Sequence, residues 1–315
     1  MKNILILALC AIYFNNCGVI GNTKEDTSSR NLAIAGLALL SQGSQVSTIN
    51  FRLDSGSMKS VGCTSAVSNS SVIVSGGTKM QLNDARFYAY DVKLITADGS
   101  KTDFKLTTDG VFQNSFSSGG KTYTLGLIDF ADKANNCANG AVPSAETNLK
   151  LVGTSVSGNY TGIEFTMGVP AEFNNQDNTT LAAPLNSTAM YWSWNSGYKF
   201  MKVEFMHEDA TDSNKINYWH MGSSSCASNV CARINRPTIT LKKSTGNINF
   251  STDVIALDLQ QLLDGTNTNS GNGGKKIACH SGPQTGGDCS TIGTNVGVNS
   301  TDGTSLTTQK AFSIK

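Results

Sequence analysis

Residues 84–97 read DARFYAYDVKLITA, and the alternation running through them constrains the fold more than any other stretch. Successive side chains of a β-strand take opposite faces. Arg86, Tyr88, Tyr90, Val92, Leu94 and Thr96 then share one face, and Ala85, Phe87, Ala89, Asp91, Lys93 and Ile95 the other. Both faces carry apolar side chains, so the strand needs cover on both sides and belongs in the middle of a layered β structure. Asp98-Gly99 supplies a hairpin turn behind it.

Shorter alternating or apolar runs at residues 48–53, 125–130, 159–169, 238–241 and 310–314 read as further strands, the third of them stopped by Gly168 and Pro170. One helix is predicted, over residues 253–264 (DVIALDLQQLLD), where Val254, Leu257, Leu259, Leu262 and Leu263 fall at helical spacing. Glycine makes up 31 of 315 residues, with many Ser, Thr and Asn, which suits numerous turns between short strands. The expected class is all-β: a mainly antiparallel β-sandwich or open barrel with one or two short helices, stapled by disulfides. Residues 171–187, rich in Asn, Asp, Thr and Pro, read as a long loop, and loops of that length are commonly functional.

The first 17 residues, MKNILILALCAIYFNNC, place one early lysine before an apolar run too short to span a bilayer, the order of a secretory signal. No small-x-small cleavage site precedes Cys17, and a cysteine closing such a run is where bacterial lipoproteins are cleaved and acylated. We therefore expect an exported protein, periplasmic or held at the outer membrane by a lipid on Cys17. Residues 1–17 would be the lipoprotein-type signal peptide, 18–47 a tether, and 48–315 the β domain. Net charge is +1, charged residues are 15%, and Lys and Arg form no block, which excludes nucleic acid as a partner.

Six cysteines remain beyond the leader and Cys17, an even count that in an exported chain favours disulfides. Short spacings suggest Cys226–Cys231 and Cys279–Cys289 as local clips, which leaves Cys63 for Cys137 across the fold. That long bridge would be worth about 4 kcal/mol by loop entropy.

Two of the three tryptophans fall in residues 190–205, MYWSWNSGYKFMKVEF. As a strand this run puts Met190, Trp192 and Trp194 on one face, and Asn195, Ser196 and Gly197 then turn it back as a hairpin. Packing alone would account for such aromatics. The chain has three histidines, His207, His220 and His280, the last two close to the cysteine clips. Imidazole and thioether donors suit copper, and Cu(I) accepts two or three of them. There is no Gly-x-Ser-x-Gly elbow, no His-Glu-x-x-His helix and no phosphate-cradling glycine loop, so hydrolase readings find no motif.

Taken in order, DARFYAYDVKLI, LIDFADKANNC, NYTGIEFTMGVP, APLNSTAMYWSWNSGYKF, HMGSSSCASNVC with INRP, and ACHSGPQTGGDC resemble the MbnP-like family, the metallo-mystery-pair four-cysteine proteins. The likeness runs from about residue 48 to the C terminus. It implies an exported copper-binding protein, not an enzyme, that works with a di-haem enzyme of the MauG and cytochrome c peroxidase type. That partner would oxidise Trp192, the first Trp of Trp-x-Trp, to kynurenine beside a single Cu(I). Apart from the resemblance, the position of Trp194 on the same strand face leads us to expect it to relay the electron to the haem protein. His220 matches the family's histidine before a Gly-Ser and cysteine segment. Where members have Asn-His-x-Asp this chain reads Asn174-Asn175-Gln176-Asp177, and an amide is too hard a donor to replace that imidazole for Cu(I). Where members have Met in the last clip it has His280. The expected ligands are therefore His220 and His280 with the kynurenine from Trp192, and Met190 or Met221 nearby. The alternative is a structural or interaction lipoprotein of the same fold that has lost tight copper binding.

Overall fold

The computed structural model describes residues 43–62, 72–74, 78–131, 147–192, 197–207, 216–227, 230–267, 277–280 and 286–315. The leader, Cys17, most of the tether, Cys63, Cys137 and Trp194 lie outside the described residues. Residues Ser44–Lys315 form one compact unit. Strand β1 (Ser44–Asp54) opens it, taking in residues 44–47, which the sequence places at the end of the tether. Ile49, Phe51 and Leu53 all point inward from β1.

The doubly apolar stretch becomes β2 (Thr78–Ile95), 18 residues long. It pairs antiparallel with β3 (Lys121–Asp129), with β5 (Gly162–Met167) and with β8 (Met201–His207). Between β3 and β5 the chain crosses to the other layer as β4 (Lys150–Val156), antiparallel to β1. Residues 171–187 are not a bare loop. They hold a one-turn helix α1 (Ala171–Asn174) and a 3₁₀ turn, Asn178–Thr180, capped by Asp177. A second 3₁₀ turn, Thr188–Met190, runs into a small hairpin of β6 (Tyr191–Trp192) and β7 (Gly197–Tyr198). Met190 therefore sits in a turn, off the strand it was expected to share with Trp192.

Beyond β8, β9 (Ile216–Met221) continues the large sheet, and the Ser224–Ala227 and Val230–Arg233 strands form a separate ribbon around the Cys226–Cys231 disulfide. Strand β10 (Thr238–Lys242) closes the far edge against β5.

The predicted helix over residues 253–264 is mostly strand. It splits into β11 (Val254–Asp258), parallel to β1, and the four-residue α2 (Leu259–Leu262). Ile255, Ala256 and Leu257 are all buried, so the apolar run serves a strand covered on both faces. A short apolar run of that kind cannot be told from a helix by period alone. Strand β12 (Ala278–Cys279) adds to β9 in parallel, α3 (Gly287–Asn295) follows, and β13 (Phe312–Ile314) pairs with β11. Helix α3 is rich in Gly, Ser and Thr, poor helix formers, and is tied at Cys289 to Cys279.

Among the described residues the two large sheets have five and ten strands. Phe51 of β1 and Phe312 of β13 meet Phe87 of β2 and Phe165 of β5 at ring separations of 5.4 to 6.1 Å, which is the middle of a sandwich. The opposite face of the ten-stranded sheet is covered by the segment after β5: Tyr88 donates to the Pro184 carbonyl and packs edge-on against Tyr198. Among the described residues no helix is long and apolar enough to cross a membrane.

Candidate metal centre

Burial alternates along β9, with Asn217, Trp219 and Met221 turned inward and Tyr218 and His220 on the covered outer face. Strand β12 lies beside it with Tyr218 opposite Ala278 and Trp219 opposite Cys279, so the next residue, His280, is carried alongside His220. Their ring centres are 5.4 Å apart. Tyr218 lies against both, 4.9 Å from His220 in a near-parallel stack and 4.8 Å from His280. The indole of Trp192 approaches His280 edge-on at 6.1 Å. Three of the residues chosen from sequence, His220, His280 and Trp192, thus come together from three separate parts of the chain.

Met190 is buried in the hydrophobic core at the end of its turn. Asn174 and Asn175 flank the hairpin: a Cβ added to Gly197, the residue paired with Trp192, would stand 3.5 Å from Asn175 Nδ2. The Asn174 amide bonds the Asn175 side chain at 2.9 Å.

Residues that sequence reasoning did not select complete the surroundings. Glu204 of β8 holds His220 Nε2 at 2.7 Å and is itself 3.2 Å from Lys202. Lys202 pairs with the buried Asp84 at 2.7 Å, and Asp84 with Arg86 at 2.8 Å. Lys199 stands 5.8 Å over the Trp192 ring and donates to the Ala189 carbonyl at 2.9 Å. Gly222 is where the indole passes, since a Cβ there would lie 2.7 Å from Trp192 Cζ3 and 2.2 Å from the Tyr198 carbonyl oxygen. The alternation of charge with Met201, Val203 and Phe205 in β8 was visible in the sequence, but only the register shows that it faces His220.

Burial and the nearby lysines favour the neutral form of both imidazoles. Burial lowers the His220 pKa; Glu204 opposes this, while Lys199 and Lys202 add to it. Burial and then the Lys199 charge lower that of His280. Burial would raise Glu204, but the His220 hydrogen bond and the Lys202 charge bring it down to about 2. Burial depresses Lys199 to about 8.

Among the described residues no three His, Cys, Asp or Glu side chains converge as a metal cage. Two neutral imidazoles are nevertheless a donor set that a soft monovalent ion accepts. Two nitrogens spanning one metal would stand roughly 4 Å apart, twice a metal–imidazole bond, and rings centred 5.4 Å apart are compatible with that. His220 Nδ1 is buried and makes no hydrogen bond among the described residues, which leaves its lone pair open to a metal. The residues present fit a two-imidazole copper site.

A solved structure, MbnP from Methylosinus trichosporium, superposes with a TM-score of 0.69 at 23% identity, covering 86% of this chain and 98% of that one. No curated protein matches the sequence. The family model named MbnP matches residues 44–281, from the first strand to just past His280. The chain belongs to the MbnP family.

Proposed function

We propose that this is an exported copper-binding protein, not an enzyme, that holds a single Cu(I) at His220 and His280. Trp192 beside them is the residue a di-haem partner of the MauG and cytochrome c peroxidase type would convert to kynurenine. The observation that carries the reading is the meeting of two of only three histidines with that indole, from β6, β9 and the residue that follows β12. Bound Cu(I) would supply a redox-active centre. The protein's part is to keep both imidazoles neutral and shielded from water, and to hold the indole against them. Opening of the five-membered ring by the partner's oxidising haem, followed by hydrolytic loss of the C2 carbon as formate, would expose an aryl amine and a ketone in a pocket otherwise short of donors. Lipidation at Cys17 and electron relay through Trp194 belong to the same reading.

The test is intact-mass and peptide analysis of protein from copper-replete cells of its native host, beside chelator competition with Cu(I). Kynurenine at residue 192 and a copper stoichiometry that drops in His220→Ala and His280→Ala are expected. An intact Trp192 together with unchanged stoichiometry in both variants would refute the reading.

One observation favours a second reading, a structural or interaction protein of the same fold without tight copper binding. Asn175 stands where the family resemblance implies an imidazole, and its amide is engaged with Asn174. Failure of Asn175→His to tighten Cu(I) binding would count against this alternative.

A further inference from the structure

We propose that Glu204 is a positioning residue that fixes the tautomer of His220, so that Nδ1, and not Nε2, is the atom His220 presents to a metal. This rests on the copper reading above, and adds which atom binds and what holds it.

The register of the outer face is the starting point. Arg86, Lys202 and His220 stand in one row across β2, β8 and β9, and Asp84, Glu204 and Tyr218 in the next. Side chains at these positions share a face, and opposite charges meet in sequence: Asp129 to Arg86 at 3.4 Å, Arg86 to Asp84 at 2.8 Å, Asp84 to Lys202 at 2.7 Å, and Lys202 to Glu204 at 3.2 Å; Glu204 then reaches the neutral His220 ring at 2.7 Å. The first four of these groups are nearly excluded from solvent. A buried chain of this kind has little freedom to re-pair, because any break strands a charge.

At its end a carboxylate can only accept, so the shared proton lies on Nε2 and the lone pair of the ring is left on Nδ1. Tyr218, stacked at 4.9 Å with an interplanar angle of 29°, keeps the ring from turning to exchange the two nitrogens. His220 Nδ1 is then a buried acceptor without a hydrogen-bond partner among the described residues. A histidine serving only to fill space would be expected to satisfy both nitrogens, since an unmet buried polar atom costs about 1–3 kcal/mol. Metal-bound histidines, in contrast, commonly donate their second ring N–H to a carboxylate. Glu204 is not itself a ligand in this account: the same oxygen, Oε1, is engaged by both His220 and Lys202.

The experiment uses the full chain labelled with ¹⁵N in the imidazoles, read by two-bond proton–nitrogen correlation without metal and with one equivalent of Ag(I), a diamagnetic stand-in for Cu(I). The expected result is the Nε2–H tautomer for metal-free His220, with silver moving and coupling to Nδ1 alone. Glu204→Gln, which keeps an acceptor, should retain the tautomer and lose roughly tenfold in Ag(I) affinity. Glu204→Leu should lose the tautomer preference and up to about a hundredfold. An Nδ1–H tautomer, a silver shift at Nε2, or a Glu204→Leu variant equal to the parent in both readouts would overturn the proposal. Should Glu204→Leu fail to fold, the parent spectra alone decide. If silver moves neither nitrogen while Nε2–H is present, the copper reading fails and the hold of Glu204 on the ring stands.

Discussion

At the scale of single residues the centre is built from contacts that leave no room for adjustment. Trp192 crosses Gly222 at the end of β9, where a methyl group would meet the Tyr198 carbonyl oxygen at 2.2 Å and the indole at 2.7 Å. The first of these is backbone, which cannot step aside as a flexible side chain would. Gly222→Ala is therefore expected to lower stability by about 1–3 kcal/mol, the usual range for overpacking, and to push the indole away from His280. Denaturant unfolding gives the first, and the fluorescence and Cu(I) retention of the folded variant the second. A variant with parental stability and copper binding would show that the indole is not pinned there. Much of the residue-level site could be read before any coordinates. His220, His280 and Trp192 stood out because their types are scarce, and scarcity survives without knowledge of register. Glu204, Lys202 and Lys199 did not, because charged residues alternating with apolar ones in a strand look the same on a solvated face as on a covered one.

At the scale of elements, the long central strand was legible and the region after it less so. Residues 84–97 announced cover on both faces, and β2 has it, with Phe87 in the sandwich and Tyr88 under the Pro184 segment. Residues 253–264 misled because Leu257, Leu259, Leu262 and Leu263 satisfy a helical period while Ile255 to Leu257 satisfy a doubly covered strand. What decides between them is the parallel partner β1, some two hundred positions earlier and invisible to a local pattern. Asp258 marks the changeover, accepting from the amides of Gln260 and Gln261 at the start of α2 and from Gly56 at the end of β1. Asp258→Ala removes a helix cap and a link between two elements at once. Its expected cost is about 1–2 kcal/mol, the upper part of the range for a lost N-cap, measured as a shift in the urea midpoint at constant slope. A cost near zero would mean that water replaces the carboxylate and that the pairing of β11 with β1 alone sets where the strand ends.

At the scale of the whole molecule, the two visible disulfides do different work although both are short. Cys226–Cys231 joins facing residues of a two-stranded ribbon and lies against the Asn174 amide, whereas Cys279–Cys289 ties the strand that leads into His280 to α3. Loop entropy alone ranks them weakly, at about 2 kcal/mol for the first and about 3 for the second. The proposed metal centre should separate them far more clearly, because β12 is only two residues long and its one neighbouring strand among the described residues is β9. With the Cys279–Cys289 bond removed, the backbone leading into His280 is left to that short parallel pairing and to the bond from the Ile277 amide to Asn217 Oδ1 at 2.7 Å. The double variant Cys279→Ser/Cys289→Ser is therefore expected to lose about tenfold or more in Cu(I) affinity, and Cys226→Ser/Cys231→Ser much less, both measured by chelator competition on folded protein. Equal losses in the two variants would mean that His280 is held by the sheet and not by the clip, and that the disulfide nearest the centre serves the stability of α3 alone.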